Sequence, residues 1–254
     1  MDEQQRQDTI KDIALALEAL TPSQILLVKN LVAKLSTATV GYRNPDSDFI
    51  SDTGLSHIGD ALLAHHSMAQ RPLSKESFEH ALEGALRRAG HDATLAKRGN
   101  PGHDITVDGV PVSLKTQADA SIKADMLHIS KVMELGSGAW ELPLLRDQFL
   151  AHMNSYQRVF QFRCHRQGTT GFLYELVEIP MTLLRESANA TLEMRNESKQ
   201  TPKPGYGHLY YATGRLKFSL YFDGGTERKL QIKSLRKELC TVHATWSFDS
   251  ASLV

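Results

Sequence analysis

Gly99-Asn-Pro-Gly-His-Asp-Ile-Thr-Val-Asp-Gly-Val-Pro-Val-Ser-Leu-Lys-Thr-Gln117 is the stretch whose reading decides the fold. Two runs of alternating character, 103–107 and 110–117, flank Asp108-Gly109, a dipeptide suited to a two-residue hairpin turn. With that turn Val107 faces Val110, and each step outward pairs the next residues, so Asp104 lies opposite Ser113. Side chains alternate between the faces of a strand. Ile105, Val107, Val112 and Leu114 therefore share an apolar face, and Asp104, Thr106, Ser113, Lys115 and Gln117 share a polar one. Asp104 and Lys115 become diagonal cross-strand neighbours, roughly 7–8 Å apart at the backbone. An acid and an amine converge on the open side of a hairpin whose back is buried. An ordinary surface ion pair would have the same letters.

Working outward, an N-terminal stripe of Ile10, Ile13, Ala14, Leu17 and Leu20 has helical spacing. Thr21-Pro-Ser-Gln24 forms a capping box with proline in the first turn, and Ile25, Val28, Leu31, Val32 and Leu35 continue as a second helix. A polar segment over 41–56 and a short helix near 58–65 follow. A further helix starts at Ser74 and stops at Gly90, burying Phe78, Leu82, Ala85, Leu86 and Ala89. Glu79 falls on the border of that stripe, where it could complete a metal site beside the hairpin or simply face solvent. Beyond 121–140 comes a helix with Leu142, Leu145, Phe149 and Met153 on its core side. Strands are expected at 159–164, 171–179, 208–212, 216–222, 229–233 and 240–246. The order predicts an α/β fold, a mixed sheet flanked by helices, with an N-terminal helical segment and a β-rich C-terminal portion.

The chain has 254 residues, 41% of them hydrophobic and 23% charged, which suits an ordinary globular protein with a real core. Two cysteines, Cys164 and Cys240, are too few for a disulfide framework. The polar N-terminus and the lack of long apolar runs lead us to expect a cytoplasmic protein. The net charge of zero hides an asymmetry. Residues 1–70 hold nine acidic and five basic side chains, a net −4, whereas residues 195–240 hold ten basic and four acidic, a net +6. A basic C-terminal third suits a surface that meets phosphates, although a solvated face would give the same imbalance. If 216–222 and 229–233 pair about the turn, one face presents Lys217, Ser219, Tyr221, Lys229, Gln231 and Lys233. Such side chains can contact phosphates or base edges.

Asp104 with Ser113-x-Lys115 resembles the core of the PD-(D/E)xK nucleases. Longer pieces resemble the SmaI family of type II restriction endonucleases: Ser77-Phe-Glu-His-Ala81, Asn100-Pro-Gly-His-Asp-Ile-Thr-Val107, His128-Ile-Ser-Lys131, Met133-Glu-Leu-Gly136, Leu176-Val-Glu-Ile-Pro180, Ser198-Lys-Gln-Thr-Pro-Lys-Pro-Gly-Tyr-Gly207, Leu220-Tyr-Phe-Asp-Gly-Gly225 and Glu227-Arg-Lys-Leu-Gln-Ile-Lys233. They keep one order over roughly residues 70–248. The resemblance implies a homodimer that cuts double-stranded DNA at a GC-rich palindrome, CCCGGG in the best-known member, using Mg2+, with a DNA methyltransferase as functional partner. It places Asp104 on the metal and Lys115 on the attacking water. Where the superfamily has an acid two residues before the lysine, this chain has Ser113, and a hydroxyl is a poor magnesium ligand. The second carboxylate must come from elsewhere: Glu134, expected on a downstream helix, or Glu79. Lys203, Arg228, Lys229, Gln231 and Lys233 are the expected DNA contacts. We divide the chain into a helical subdomain for packing or dimerisation (1–70), a nuclease core (71–180) and a DNA-contacting portion (181–254). A sequence-specific DNA-binding protein with an inactive nuclease fold is the alternative reading.

Overall fold

The computed structural model describes residues 1–37, 40–97, 99–100, 102–118, 122–167 and 171–249, without the side chains of Gln167 and Asp249; Pro101 and Ser121 of the stretches above lie outside the described residues. The chain opens with α1 (Glu3–Glu18) and α2 (Pro22–Leu35), then β1 (Val40–Arg43), α3 (Asp52–His66) and α4 (Lys75–Arg88). Next come β2 (Ala93–Leu95), β3 (Ile105–Val107), β4 (Val110–Gln117), β5 (Met126–Glu134), α5 (Leu142–His152), β6 (Arg158–Gln167), β7 (Gly171–Ile179) and the short α6 (Met181–Arg185). The last third is strand: β8 (Thr191–Met194), β9 (Gly205–Tyr210), β10 (Leu216–Asp223), β11 (Lys229–Arg236) and β12 (Thr241–Asp249).

Two sheets result, with orders β1-β12-β7-β6-β4-β3-β2 and β5-β11-β10-β9-β8. In the larger sheet β4 and β6 run parallel and the other pairings are antiparallel. This is the expected mixed α/β architecture, helices early and strands late. The central hairpin has the expected register, with Val107 opposite Val110 and Ile105 opposite Val112. Its turn is left-handed at both residues, with φ 49° at Asp108 and 79° at Gly109, as a tight hairpin turn demands.

The alternation along the hairpin decides what covers it. Ile105, Val107, Val112 and Leu114 join Phe78, Leu82, Ala85 and Leu86 of α4 in one apolar core. Phe78 stacks on Phe162 of β6 at 4.1 Å, which anchors α4 to the sheet. Ser74 caps α4 by accepting from the Ser77 N–H at 3.1 Å, and Gly90 (φ 94°) follows its last turn. On the other side of the sheet a second core forms from Leu127 and Ile129 of β5, Leu145 and Phe149 of α5, Val159, Val177 and the inward residues of β10 and β11.

Polar pegs as well as grease join the two sheets. Lys115 of β4 lies beside Gln161 of β6, and Gln161 Nε2 donates to the His128 carbonyl of β5 at 2.7 Å. Two residues on, buried Arg163 donates to the carbonyls of Lys123 (2.6 Å) and Met126 (2.8 Å) and to Glu175 (3.0 Å). Glu175 also receives Lys237 at 2.6 Å and His165 at 3.0 Å. Burial opposes its charge, but these partners hold its carboxyl at about 2.

Some expectations shift. Glu134 ends strand β5 and belongs to no helix: Leu127, Ile129 and Val132 turn inward against β11, and Glu134 faces Lys229. Irregular register along β5 breaks the two-residue period, which made the segment hard to recognise as a strand. The strand expected at 208–212 is β9, Gly205–Tyr210; residues 211–215 turn, with Tyr211 N–H on the Arg215 carbonyl at 2.8 Å. The stripe of α1 is uncovered in this chain: Ile10 and Ile13 are 46% and 53% exposed, and α1 has no buried residue.

Phe78→Ala should cost about 3–5 kcal/mol in urea unfolding, the price of an emptied aromatic site; a loss near zero would show that Phe78 does not anchor α4. Glu175 has a folded pKa below its usual 4.5, so its stabilisation is complete above that pH and fades as pH falls toward 2. The stability gap between the protein and Glu175→Gln should therefore narrow over that window in pH-dependent denaturation. A constant gap would contradict the ion cluster.

Candidate active site

Asp104 sits just before β3, where its backbone N–H donates to the Val112 carbonyl at 2.9 Å. Its side chain turns toward β4. Oδ2 accepts the Leu114 N–H at 2.6 Å and the Ser113 hydroxyl at 3.2 Å. Oδ1 accepts the Lys75 ammonium, from the first turn of α4, at 2.6 Å. The same ammonium lies 3.1 Å from Glu79 Oε1, one turn further along α4. Burial works against ionisation of Asp104, yet Lys115, Lys75 and the Leu114 N–H outweigh it and hold its carboxyl below the usual range.

Lys115 is half-buried. Burial pushes its ammonium below the ordinary lysine value; Asp104 and Glu79 oppose that shift, and Lys75 and Lys131 add to it. The expected polar face thus gathers Asp104, Lys115 and Ser113, and α4 adds Glu79. Lys115 and Lys75, the latter holding Asp104 and Glu79, border a cleft of about 610 Å³ that is also lined by Thr116, Lys131, Glu134 and His152. His152 is pushed below its usual value by burial and by Lys115.

Glu134 reaches this cleft from β5 on the far wall. It is exposed and pairs with Lys131 at 2.7 Å, so the structure does not join it to Asp104. Lys75 and His152 are the residues that sequence reasoning missed. Lys75 carried a faint signal, a lysine four residues before Glu79 at a helix start. His152 carried none.

The residues fit a divalent cation by chemistry and by position. Two hard carboxylate oxygens, the donors magnesium prefers, already converge on a cationic group, the Lys75 ammonium. Among the described residues the one group of three potential ligands with donor atoms within 4.8 Å of one another is a different set, Asp48, Glu178 and His243. Its acids are already engaged. Arg158 binds Asp48 at 2.8 Å and Glu178 at 2.7 Å, and His243 binds Glu178 at 2.9 Å.

The expected DNA contacts lie on and around β11. Lys229, Gln231 and Lys233 stand in one outward row, opposite Asp223, Tyr221 and Ser219 of β10. Lys233 lies 3.6 Å over the Tyr221 ring, and Tyr221 neighbours Tyr206 of β9 at 4.9 Å. Gln231 donates to Asp223 at 3.1 Å, and Lys229 pairs with Glu227 at 2.8 Å. Arg228 lies 5.7 Å over the Trp140 ring, while Lys203 donates to the Ser198 carbonyl at 3.2 Å.

A family model described as type II site-specific deoxyribonuclease, SmaI, matches residues 13–248. The chain belongs to this family. It is also 47% identical over 208 residues to the type II restriction enzyme SmaI of Serratia marcescens, covering 82% of this chain and 84% of that one. No solved structure matches. Membership of the SmaI family makes the protein a site-specific endodeoxyribonuclease acting on double-stranded DNA. Among the described residues no helix is long and apolar enough to cross a membrane.

Ser113 is buried against Asp104. Ser113→Asp, which restores the commoner superfamily acid, would set two carboxylates side by side in a buried place. In EDTA it should lower stability by about 1–3 kcal/mol by thermal unfolding, and Mn2+ should restore more stability to the variant than it adds to the unaltered protein. Equal Mn2+ effects on both would argue against a cation at Asp104.

Proposed function

We propose that the chain hydrolyses DNA phosphodiester bonds with Mg2+ at a GC-rich palindrome, CCCGGG, working as a homodimer in the cytoplasm beside a cognate methyltransferase. The observation that carries this reading is the convergence of Asp104 and Glu79 on one cation at the edge of a cleft that also exposes Lys115. Asp104 and Glu79 would hold the metal, with Glu79 supplying the acid that Ser113 does not; Glu134, on the far wall and paired to its β5 neighbour Lys131, is the second candidate. A divalent ion held by Asp104 and Glu79 would supply stabilisation of the charge that builds on the scissile phosphate.

The remaining work falls to the protein's own groups. Lys115 donates to the attacking water or to a phosphate oxygen, and burial brings its amine closer to a pKa at which it can also take a proton. Lys131 and His152 line the same cleft and would orient the phosphate backbone. Lys229, Gln231 and Lys233, with Lys203 and Arg228 at the neighbouring turns, would meet phosphates and base edges. The segment 1–70 would serve dimerisation, because α1 and α2 expose Ile10, Ile13, Leu15, Leu26 and Val32. A palindrome is matched by a two-fold protein with one site per subunit. In this reading 71–180 supplies the nuclease core and 181–254 the DNA contacts.

Plasmid bearing CCCGGG, incubated with the protein and Mg2+, should yield discrete fragments, none with EDTA, and a rate about a thousandfold lower for Asp104→Ala. Asp104→Ala should still shift a CCCGGG duplex in Ca2+. No fragments from folded protein, or fragments indifferent to Asp104→Ala, would overturn the reading. A specific shift with no cleavage in any divalent ion would favour an inactive DNA-binding relative.

A further inference from the structure

Lys75 is the charged group in the site to which the hydrolytic reading gives no task. It is the first residue of α4, and its ammonium stands between the two carboxylates, 2.6 Å from Asp104 Oδ1 and 3.1 Å from Glu79 Oε1. That is the place a cation shared by those acids must take. Phe78, stacked in the core, fixes the backbone of this turn, so only the four-carbon stem of Lys75 can move. The Asp104 and Glu79 side chains are 19% and 20% exposed and that of Lys75 is 43%, so the ammonium is the partner with open water beside it.

Charge forces a choice. Two carboxylates with Lys75 and Lys115 form a neutral set. A divalent ion on the same oxygens would meet an ammonium within contact distance, a repulsion that a partly buried site does not screen. One amine must leave. Both amines reach the cleft, but Lys115 projects from the middle of the sheet and is half-buried, whereas Lys75 sits at a helix start with its side chain exposed. We infer that Lys75 is an internal counter-ion that occupies the metal position in the free protein, and that metal binds by exchange, its entry sending the Lys75 ammonium into the cleft. This rests on the metal site proposed above. Before exchange the lysine prevents two adjacent carboxylates from repelling each other and keeps both aimed at one point. Afterwards it adds a cation to the wall along which a phosphate backbone would lie.

The test is a Mn2+ titration of the DNA-free full chain, following free Mn2+ by electron paramagnetic resonance. Lys75→Met removes the competing cation and should bind Mn2+ roughly three- to tenfold more tightly than the unaltered protein. Lys75→Arg keeps the charge and should stay close to it. Asp104→Asn should abolish binding in each background. Unchanged or weaker binding by Lys75→Met, with Asp104→Asn still abolishing it, overturns the exchange and leaves the metal site standing. Equal tightening by Met and Arg shows that charge is not what competes, and also overturns it. Binding that survives Asp104→Asn removes the metal site itself, and the exchange with it.

Discussion

The carboxylate of Asp104 is fastened at both oxygens, and the rest of the site takes its position from that. One oxygen sits on the Leu114 N–H and the Ser113 hydroxyl, the other on Lys75. The first pair ties the end of one strand to its neighbour, and the last ties that strand to the start of α4. A buried carboxylate is costly unless its lone pairs are met by donors. Here charge-assisted bonds meet them, and the Lys115 ammonium favours the ionised form as well. The outcome is an anion held at one point on the rim of a cleft, without a loop that must fold around it.

The cleft depends on how the sheets meet. Gln161 and Arg163 leave β6 on the side that faces β5 and spend their donors on its backbone carbonyls and on that of Lys123. Because β4 and β6 lie parallel in register, Lys115 points from the same face as Gln161. Where the glutamine joins the sheets, the lysine stands in the gap that remains. Apolar packing alone would have tolerated sliding of β5. Buried polar groups with directional partners do not, since a slip would strand Arg163 without acceptors. The wall bearing Lys131 and Glu134 is therefore held against the wall bearing Lys75 and Lys115.

The hairpin was legible to the residue. Asp108-Gly109 permits one tight turn, and a fixed turn sets every pairing beyond it, so Asp104 and Lys115 could be placed before any coordinates. Helix α4 was legible for similar reasons: Ser74 and Gly90 bracket a stripe that must be buried, which put Glu79 at its border. Strand β5 was not, because two register shifts against β11 replace simple alternation with spacings that look helical, and Glu134 went astray with it. Short edge strands such as β1 and β8 carry too few residues to show a period. Lys75 escaped notice because its role comes from a contact 29 residues away. His66 shows the limit from the other side. One of two adjacent histidines at the end of α3, with nothing in its spacing to set it apart, it is buried and joined to the Tyr174 hydroxyl at 2.8 Å, a partner supplied only by the folded sheet.

The account stands on a single position in space, the point between Asp104 and Glu79 next to Lys115. Anomalous diffraction from a Mn2+-soaked crystal locates such a point directly. One strong peak bonded to oxygens of both carboxylates, with Lys75 displaced from them, is the result expected. A peak at Asp48, Glu178 and His243, or at Glu134 with Lys75 still bridging Asp104 and Glu79, would contradict it.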